Sequence, residues 1–151
     1  MEISLQSILL GTAQSNRDRL TLFVLALGGF VLTFGGYALG VFSVSGGALL
    51  IPFYAAIVGV IAACWVGYSK GGLLFAWLVA YVPMLAFHAE DALLGARAQT
   101  IGERLTSLIH PEAFVVLGVE AIIFGTVAFI VGYLLRGGFN LFQERSQSAS
   151  R

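Results

Sequence analysis

Four long apolar runs follow one another along the chain, at residues 20–42, 46–68, 71–89 and 113–135. Each has about the 20 residues that a helix needs to cross a hydrocarbon core of ~30 Å. No alternation of apolar and polar residues with a period of two runs through them, which argues against a transmembrane barrel. Helices satisfy their own backbone hydrogen bonds, as lipid requires. The pattern therefore predicts four transmembrane helices.

The segments between these runs differ in length. Only residues 43–45 and 69–70 separate the first three runs, so we expect consecutive spans to lie antiparallel and side by side. The longer segment 90–110 has apolar residues at intervals of three and four, with charged residues on its other faces. This spacing predicts an amphipathic, interfacial helix between the third and fourth spans, lying on the bilayer surface. A lid or a partner-docking surface is the alternative interpretation of this helix.

The last run has recognisable ends. Pro111 stands just ahead of it, at a position where proline opens a helix. Gly137 and Gly138 follow Arg136, and glycine commonly ends a helix. The remaining tail, residues 143–151, is rich in polar residues, and we expect it to be flexible.

The composition supports a membrane location. Hydrophobic residues make up 58% of the chain and charged residues 11%, whereas soluble domains carry about 25% charged residues. The net charge is zero, which argues against a nucleic-acid partner because phosphates demand a basic excess. We therefore expect an all-α, polytopic helical membrane protein with a single domain, residues 1–151, and with the lipid bilayer as its surroundings.

Basic residues are unevenly distributed between the two ends of the predicted bundle. An excess of Lys and Arg marks the cytoplasmic side of a membrane protein. The end that carries both termini has the excess, so we expect a multi-pass protein of the cell membrane with both termini cytoplasmic. The inner basic residues are Arg17, Arg19, Lys70, Arg136, Arg145 and Arg151, and the outer ones are Arg97 and Arg104.

Small residues recur at intervals of three or four within the runs, and two of them form a GxxxG pair in the first run. Close backbone approach through small residues supplies the van der Waals contact that holds helices together in lipid. We expect these stripes to pack within the chain, with dimerisation through the first or last run as the alternative. The predicted packing residues are Gly36, Gly40, Gly59, Ala63, Gly67, Gly118, Gly125 and Gly132.

Glu120 is the one acidic residue inside a predicted span. A carboxyl group in lipid is costly and normally faces protein or a water-filled cavity. Counting 1.5 Å per residue puts Glu120 in one layer with three tyrosines, roughly 8–12 Å below the outer edge. We expect Glu120 to contact one of their hydroxyl groups, either in a transport site or as a structural acid. The tyrosines are Tyr37, Tyr54 and Tyr81.

The sequence contains no motif for a catalytic nucleophile, a phosphate loop or a metal centre. We therefore expect no cofactor and no enzymatic activity. The favoured interpretation is a non-enzymatic accessory, scaffold or assembly subunit packed through small-residue stripes, in a homo-oligomer or a larger membrane complex. The alternative is a small-solute or proton-coupled transporter or channel that uses the polar layer around Glu120.

Overall fold

The computed structural model describes the chain over five segments, residues 5–10, 16–42, 52–94, 100–109 and 111–148. These segments are almost entirely helical, and no strand occurs among them. The helices are α1 (Leu5–Leu10), α2 (Asn16–Ala38), α3 (Phe53–Tyr68), α4 (Leu73–Leu94), α5 (Ile101–Leu108) and α6 (Pro111–Ser148).

Three helical segments are long and apolar enough to cross a membrane: Leu20–Ala38, Leu73–Leu94 and Pro111–Gly138. The fourth apolar helix, Phe53–Tyr68, is shorter and spans about 24 Å at 1.5 Å per residue. The all-α prediction is therefore confirmed for the described residues, and the structure is compatible with a helical membrane protein. The remainder of the predicted second span, before Pro52, lies outside the described residues.

Helices α4 and α6 run antiparallel. Near the end of α4, His88 contacts Phe114, with ring centroids 5.9 Å apart. Near its start, the indole N–H of Trp77 donates to the Thr126 hydroxyl at 2.9 Å. The tight turn between Tyr68 and Leu73 makes α3 antiparallel to α4, so α3 and α6 run in the same direction.

Helix α4 is the centre of the bundle. It packs against α2, α3 and α6, whereas α2 and α6 do not touch one another within the described residues. Gly29 of α2 lies beside Pro83, and Tyr37 lies beside Phe87, so α2 runs parallel to α4. The contact between α2 and α3 is small. The first two spans are thus antiparallel, as expected, but α2 takes α4 and not α3 as its main neighbour.

Small residues fill much of the interior, and many of the large apolar side chains point outward. Ala55, Ala63, Ala76 and Ala80 are completely buried. A water-soluble domain would bury its leucines, isoleucines and phenylalanines instead, so this distribution fits a bundle surrounded by lipid. Exposed large side chains include Leu20, Phe23, Leu27, Val31, Ile61, Val115, Ile123, Val127 and Leu134.

Glycines of α3 and α6 allow the backbones of neighbouring helices to come into direct contact. A Cβ built on Gly59 would lie 2.8 Å from the Ala80 carbonyl oxygen of α4. A Cβ on Gly67 would collide with the Phe129 carbonyl of α6, and one on Gly132 would collide with the Cys64 carbonyl of α3. These three positions therefore admit no side chain while the helices keep their present separation.

The predicted packing residues in α3 and the later part of α6 lie in these contacts. Ala63 is fully buried, and a Cβ on Gly125 would lie 3.1 Å from Trp77 Cδ1. Gly118 differs, since a Cβ there would meet no described atom within 4 Å. Gly118 therefore continues the spacing of small residues but does not lie in a close contact between helices.

The predicted Gly36–Gly40 pair does not join two helices among the described residues. Helix α2 ends at Ala38, and Gly40 lies beyond it with a left-handed φ of 70°. Such a residue ends a helix instead of packing it. The Phe42 side chain folds back over Gly36 and occupies the space where a Cβ would lie. The pair therefore shapes the chain reversal after α2.

The regions around α5 and the end of α6 also differ from the predictions. Residues 90–94 continue α4, and α5 covers only Ile101–Leu108, so one helix does not fill 90–110; residues 95–99 and 110 lie outside the described part. Helix α6 continues through Gly137 and Gly138 to Ser148, where a flexible tail was expected. Neither glycine has a positive φ, and a helical glycine costs only about 1 kcal/mol relative to alanine.

The close backbone contact predicts opposite effects for the same substitution at two positions of α6. Gly132→Ala places a methyl group against the α3 backbone, and we expect a loss of roughly 1–3 kcal/mol, as for other overpacked sites. Gly118→Ala meets open space and gains helix propensity, so its stability should be unchanged or higher. Thermal unfolding in detergent compares the two. Equal melting temperatures would contradict the described contact.

Candidate functional site

Tyr37 connects the end of α2 to the beginning of α3. Its side chain is buried, and its hydroxyl lies within hydrogen-bonding reach of the backbone N–H groups of Tyr54 and Ala55. The first N–H groups of a helix have no partner within the helix. The residue before α3 is Pro52, which provides no side-chain cap. The Tyr37 hydroxyl is therefore positioned to act as an N-cap supplied by another helix.

Aromatic rings surround this connection. Phe42 stacks on Tyr54 with ring centroids 4.9 Å apart and an interplanar angle of 4°. The Tyr37 ring contacts Phe42 at 5.4 Å and Phe87 of α4 at 4.8 Å. Aromatic pairs at these separations add about 0.5–1.5 kcal/mol to the burial of their surfaces. The cluster of Tyr37, Phe42, Tyr54 and Phe87 thus holds α2, α3 and α4 together at one end.

Glu120 lies at the border between the packed face of α6 and its outward face. The next residue, Ala121, is buried, whereas Val119 and Ile123 are more than half exposed. The Glu120 side chain is partly exposed, yet its Oε2 atom is enclosed and has no hydrogen-bond partner among the described residues. No hydroxyl partner is therefore found for this oxygen in the described part of the chain.

The four residues predicted to share one layer lie at two levels. The antiparallel contacts of α4 with α6 place Glu120 level with Tyr81 on α4. Tyr37 instead lies beside Phe87, six residues further along α4, or roughly 9 Å at 1.5 Å per residue. Tyr54 lies close to Tyr37. The structure thus brings Tyr37 and Tyr54 together and separates them from Glu120.

Two further buried polar atoms have no hydrogen-bond partner among the described residues. They are Thr33 Oγ1 on α2 and His88 Nε2 on α4. Thr33 is completely buried, and His88 presents its ring to Phe114. Buried polar atoms of this kind are commonly satisfied by an ordered water molecule. His110 lies outside the described residues.

Two hydrogen bonds between helices were not expected from the sequence. Trp77 Nε1 donates to Thr126 Oγ1, which itself donates to the Ile122 carbonyl at 2.6 Å. At the end of α3, Arg136 donates to the Tyr68 carbonyl at 3.1 Å. Trp77, Thr126 and Arg136 belong to no motif, so only the tertiary contact reveals their roles.

The described residues contain no group of three or more His, Cys, Asp or Glu side chains placed to hold a metal ion. No family model, no curated protein and no solved structure matches the chain. The functional interpretation therefore starts from the geometry of the helices and from the position of Glu120.

The capping role of Tyr37 predicts a local effect of Tyr37→Phe. Removing the hydroxyl leaves two N–H groups at the start of α3 without a partner, which should cost about 1 kcal/mol. Amide hydrogen exchange at Tyr54 and Ala55 should accelerate, while exchange in α6 should not change. Tyr133→Phe is the matched control because Tyr133 is exposed on α6. Unchanged exchange at Tyr54 and Ala55 would contradict the cap.

Proposed function

We propose that this chain is a non-enzymatic assembly or scaffold subunit of the cell membrane, in which α2, α3, α4 and α6 cross the bilayer. The inward small residues and outward large apolar residues support the membrane location. The alternating directions of the four helices place the start of α2, the turn after α3 and the end of α6 on one side. Most Lys and Arg residues lie there, which supports cytoplasmic termini.

This topology predicts the accessibility of two engineered cysteines in a background that lacks Cys64. Thr106→Cys, on an exposed residue of α5, should react with a membrane-impermeant reagent added to intact cells. Ser148→Cys, at the end of α6, should react only after the cells are opened, because the basic side faces the cytoplasm. The reverse pattern would show the opposite orientation.

The observation that carries the assembly role is the incomplete hydrogen bonding of Glu120. Its enclosed oxygen has no partner in the described part of this chain, and an unpaired polar group in hydrocarbon costs several kcal/mol. Its outward neighbours Val116, Val119 and Ile123 form an exposed apolar surface on α6. A helix from a second chain that covers this border would shield the exposed part of the Glu120 side chain from lipid and donate a hydrogen bond to that part of the carboxyl group.

The assembly proposal predicts different effects for two substitutions of Glu120. The size of the complex is measured by native electrophoresis of membranes extracted in a mild detergent. Glu120→Leu should shift the chain from a larger complex toward the monomer, because the proposed hydrogen bond between the carboxyl group and the partner is lost. Glu120→Gln should retain the complex, since the amide keeps the shape and hydrogen-bonding capacity of the acid.

Glu112→Gln is the control for this experiment. Glu112 lies in the first turn of the same helix and is exposed, so its substitution should leave the complex intact. A wild-type chain that migrates as a monomer would contradict the proposal. A complex that survives Glu120→Leu would also contradict it.

A second candidate function is proton-coupled transport. Buried atoms of Thr33, His88 and Glu120 that have no hydrogen-bond partner in the described segments favour it, because water molecules in such places can relay protons. Transport and assembly differ in their response to Glu120→Gln. An assembly subunit should tolerate this substitution, whereas a proton pathway should lose proton movement in proteoliposomes while the protein remains folded.

A further inference from the structure

Arg136 is held at the point where α3 ends. Its guanidinium donates to the Tyr68 carbonyl at 3.1 Å, and the last carbonyls of a helix carry a partial negative charge that attracts cations. Arginine has five N–H donors, and this is the one hydrogen bond that Arg136 makes within the described residues. Most of the donors therefore have no partner among the described residues and are available to a ligand at the surface.

Lys70 lies at the same end of the bundle. It is exposed in the turn between α3 and α4, two residues after Tyr68, with a left-handed φ of 62°. The Ser69 hydroxyl donates to the Val66 carbonyl at 3.2 Å, and the Gly71 N–H donates to the same oxygen at 2.9 Å. These bonds order the turn, which places the Lys70 backbone two residues from the carbonyl that accepts the Arg136 hydrogen bond.

Basic residues outnumber acidic ones at this end of the bundle within the described segments. The acidic residues are Asp18 and Glu144, and the basic ones are Arg17, Arg19, Lys70, Arg136 and Arg145. On α6 the acidic residue nearest to Arg136 is Glu144, eight residues later and roughly 12 Å away along the axis. Glu90 and Asp91 lie near the end of α4, on the opposite side of the bundle. The end that carries Lys70 and Arg136 is therefore electropositive in the part of the chain that the structure describes.

Exposed aromatic side chains lie next to the cations. Trp65 and Tyr68 are 55% and 41% exposed, with ring centroids 6.2 Å apart. One turn before Arg136, Tyr133 is also exposed. Trp and Tyr prefer the headgroup level of a bilayer, and exposed aliphatic residues such as Ile61 continue the surface away from the cations. The surface thus presents cations, then aromatic rings, then aliphatic side chains. In a phospholipid the corresponding groups are the phosphate, the glycerol ester and the acyl chain.

We propose that Lys70 and Arg136 bind the phosphate of an anionic phospholipid, while Trp65 and Tyr68 contact its glycerol-ester region. Arginine recognises phosphate through several directed hydrogen bonds, and lysine adds a mobile point charge. A zwitterionic lipid has the same phosphate but places a cationic choline beside the two basic side chains. The site therefore favours a lipid with a net negative headgroup.

The test is native mass spectrometry of the full chain in detergent, titrated separately with dioleoylphosphatidylglycerol and dioleoylphosphatidylcholine. We expect the anionic lipid to bind at least about fivefold more tightly. Lys70→Gln and Arg136→Gln should each weaken its binding roughly fivefold, the effect of one basic side chain near a membrane surface. Arg104→Gln, in α5 on the opposite side, is the matched control and should have no effect.

Several outcomes would overturn the site. They are equal affinity for the two lipids, unchanged binding after Lys70→Gln, or an equal loss after Arg104→Gln. Soluble glycerol 3-phosphate is titrated in parallel, and binding as tight as that of the anionic lipid would show a free phosphate-ester ligand instead. If Arg136→Gln unfolds because the cap on α3 is lost, Lys70→Gln alone decides.

Discussion

The arrangement of the bundle depends on direct backbone contact of α3 with α4 and α6. Apolar side chains gain little from leaving lipid for a protein interior, so helices in a membrane associate mainly through close van der Waals contact. Each atom pair contributes only ~0.1–0.2 kcal/mol, and many pairs form only where backbones approach closely. Gly59, Gly67 and Gly132 permit that approach. The short turn after Tyr68 then brings α4 back against α3.

This contact determines where polar groups can be accommodated. Small residues occupy the interior, which leaves the large side chains of α2 and α6 on the outside. At one end of α3, the Tyr37 hydroxyl lies within reach of the first N–H groups of the helix. At the other end, Arg136 donates to the last carbonyl of the helix. Glu120 lies between these ends, and its enclosed oxygen has no partner in the described residues. The proposed assembly role follows from this difference between the partnered polar groups at the ends of α3 and the unpartnered oxygen of Glu120.

Sequence patterns predicted the helical class and much of the packing, because hydrophobic length and small-residue spacing are local properties. Gly59 and Gly132 were found by spacing, but spacing did not show that Gly40 lies beyond the helix end or that Gly118 faces open space. The predicted depth layer assumed that every span begins at a similar level. In the structure Tyr37 lies against Phe87 instead. The contact of the Tyr37 hydroxyl with the start of α3 joins a side chain to a backbone distant in sequence, and no sequence motif encodes such a contact.

The most direct test of the central contact is a solid-state NMR distance between α3 and α6. Cys64 is the one cysteine of the chain, so carbonyl labelling of cysteine marks a single carbon. A Cβ on Gly132 would lie 2.9 Å from that carbon, so the Gly132 Cα lies within about 4.5 Å of it, given one C–C bond between Cα and Cβ. With glycine Cα labelled, a through-space correlation from Gly132 to the Cys64 carbonyl should appear and should vanish in Gly132→Ala. Gly67, three residues from Cys64 on the same helix, provides the internal reference. A spectrum with the Gly67 correlation and without the Gly132 correlation would contradict the backbone contact.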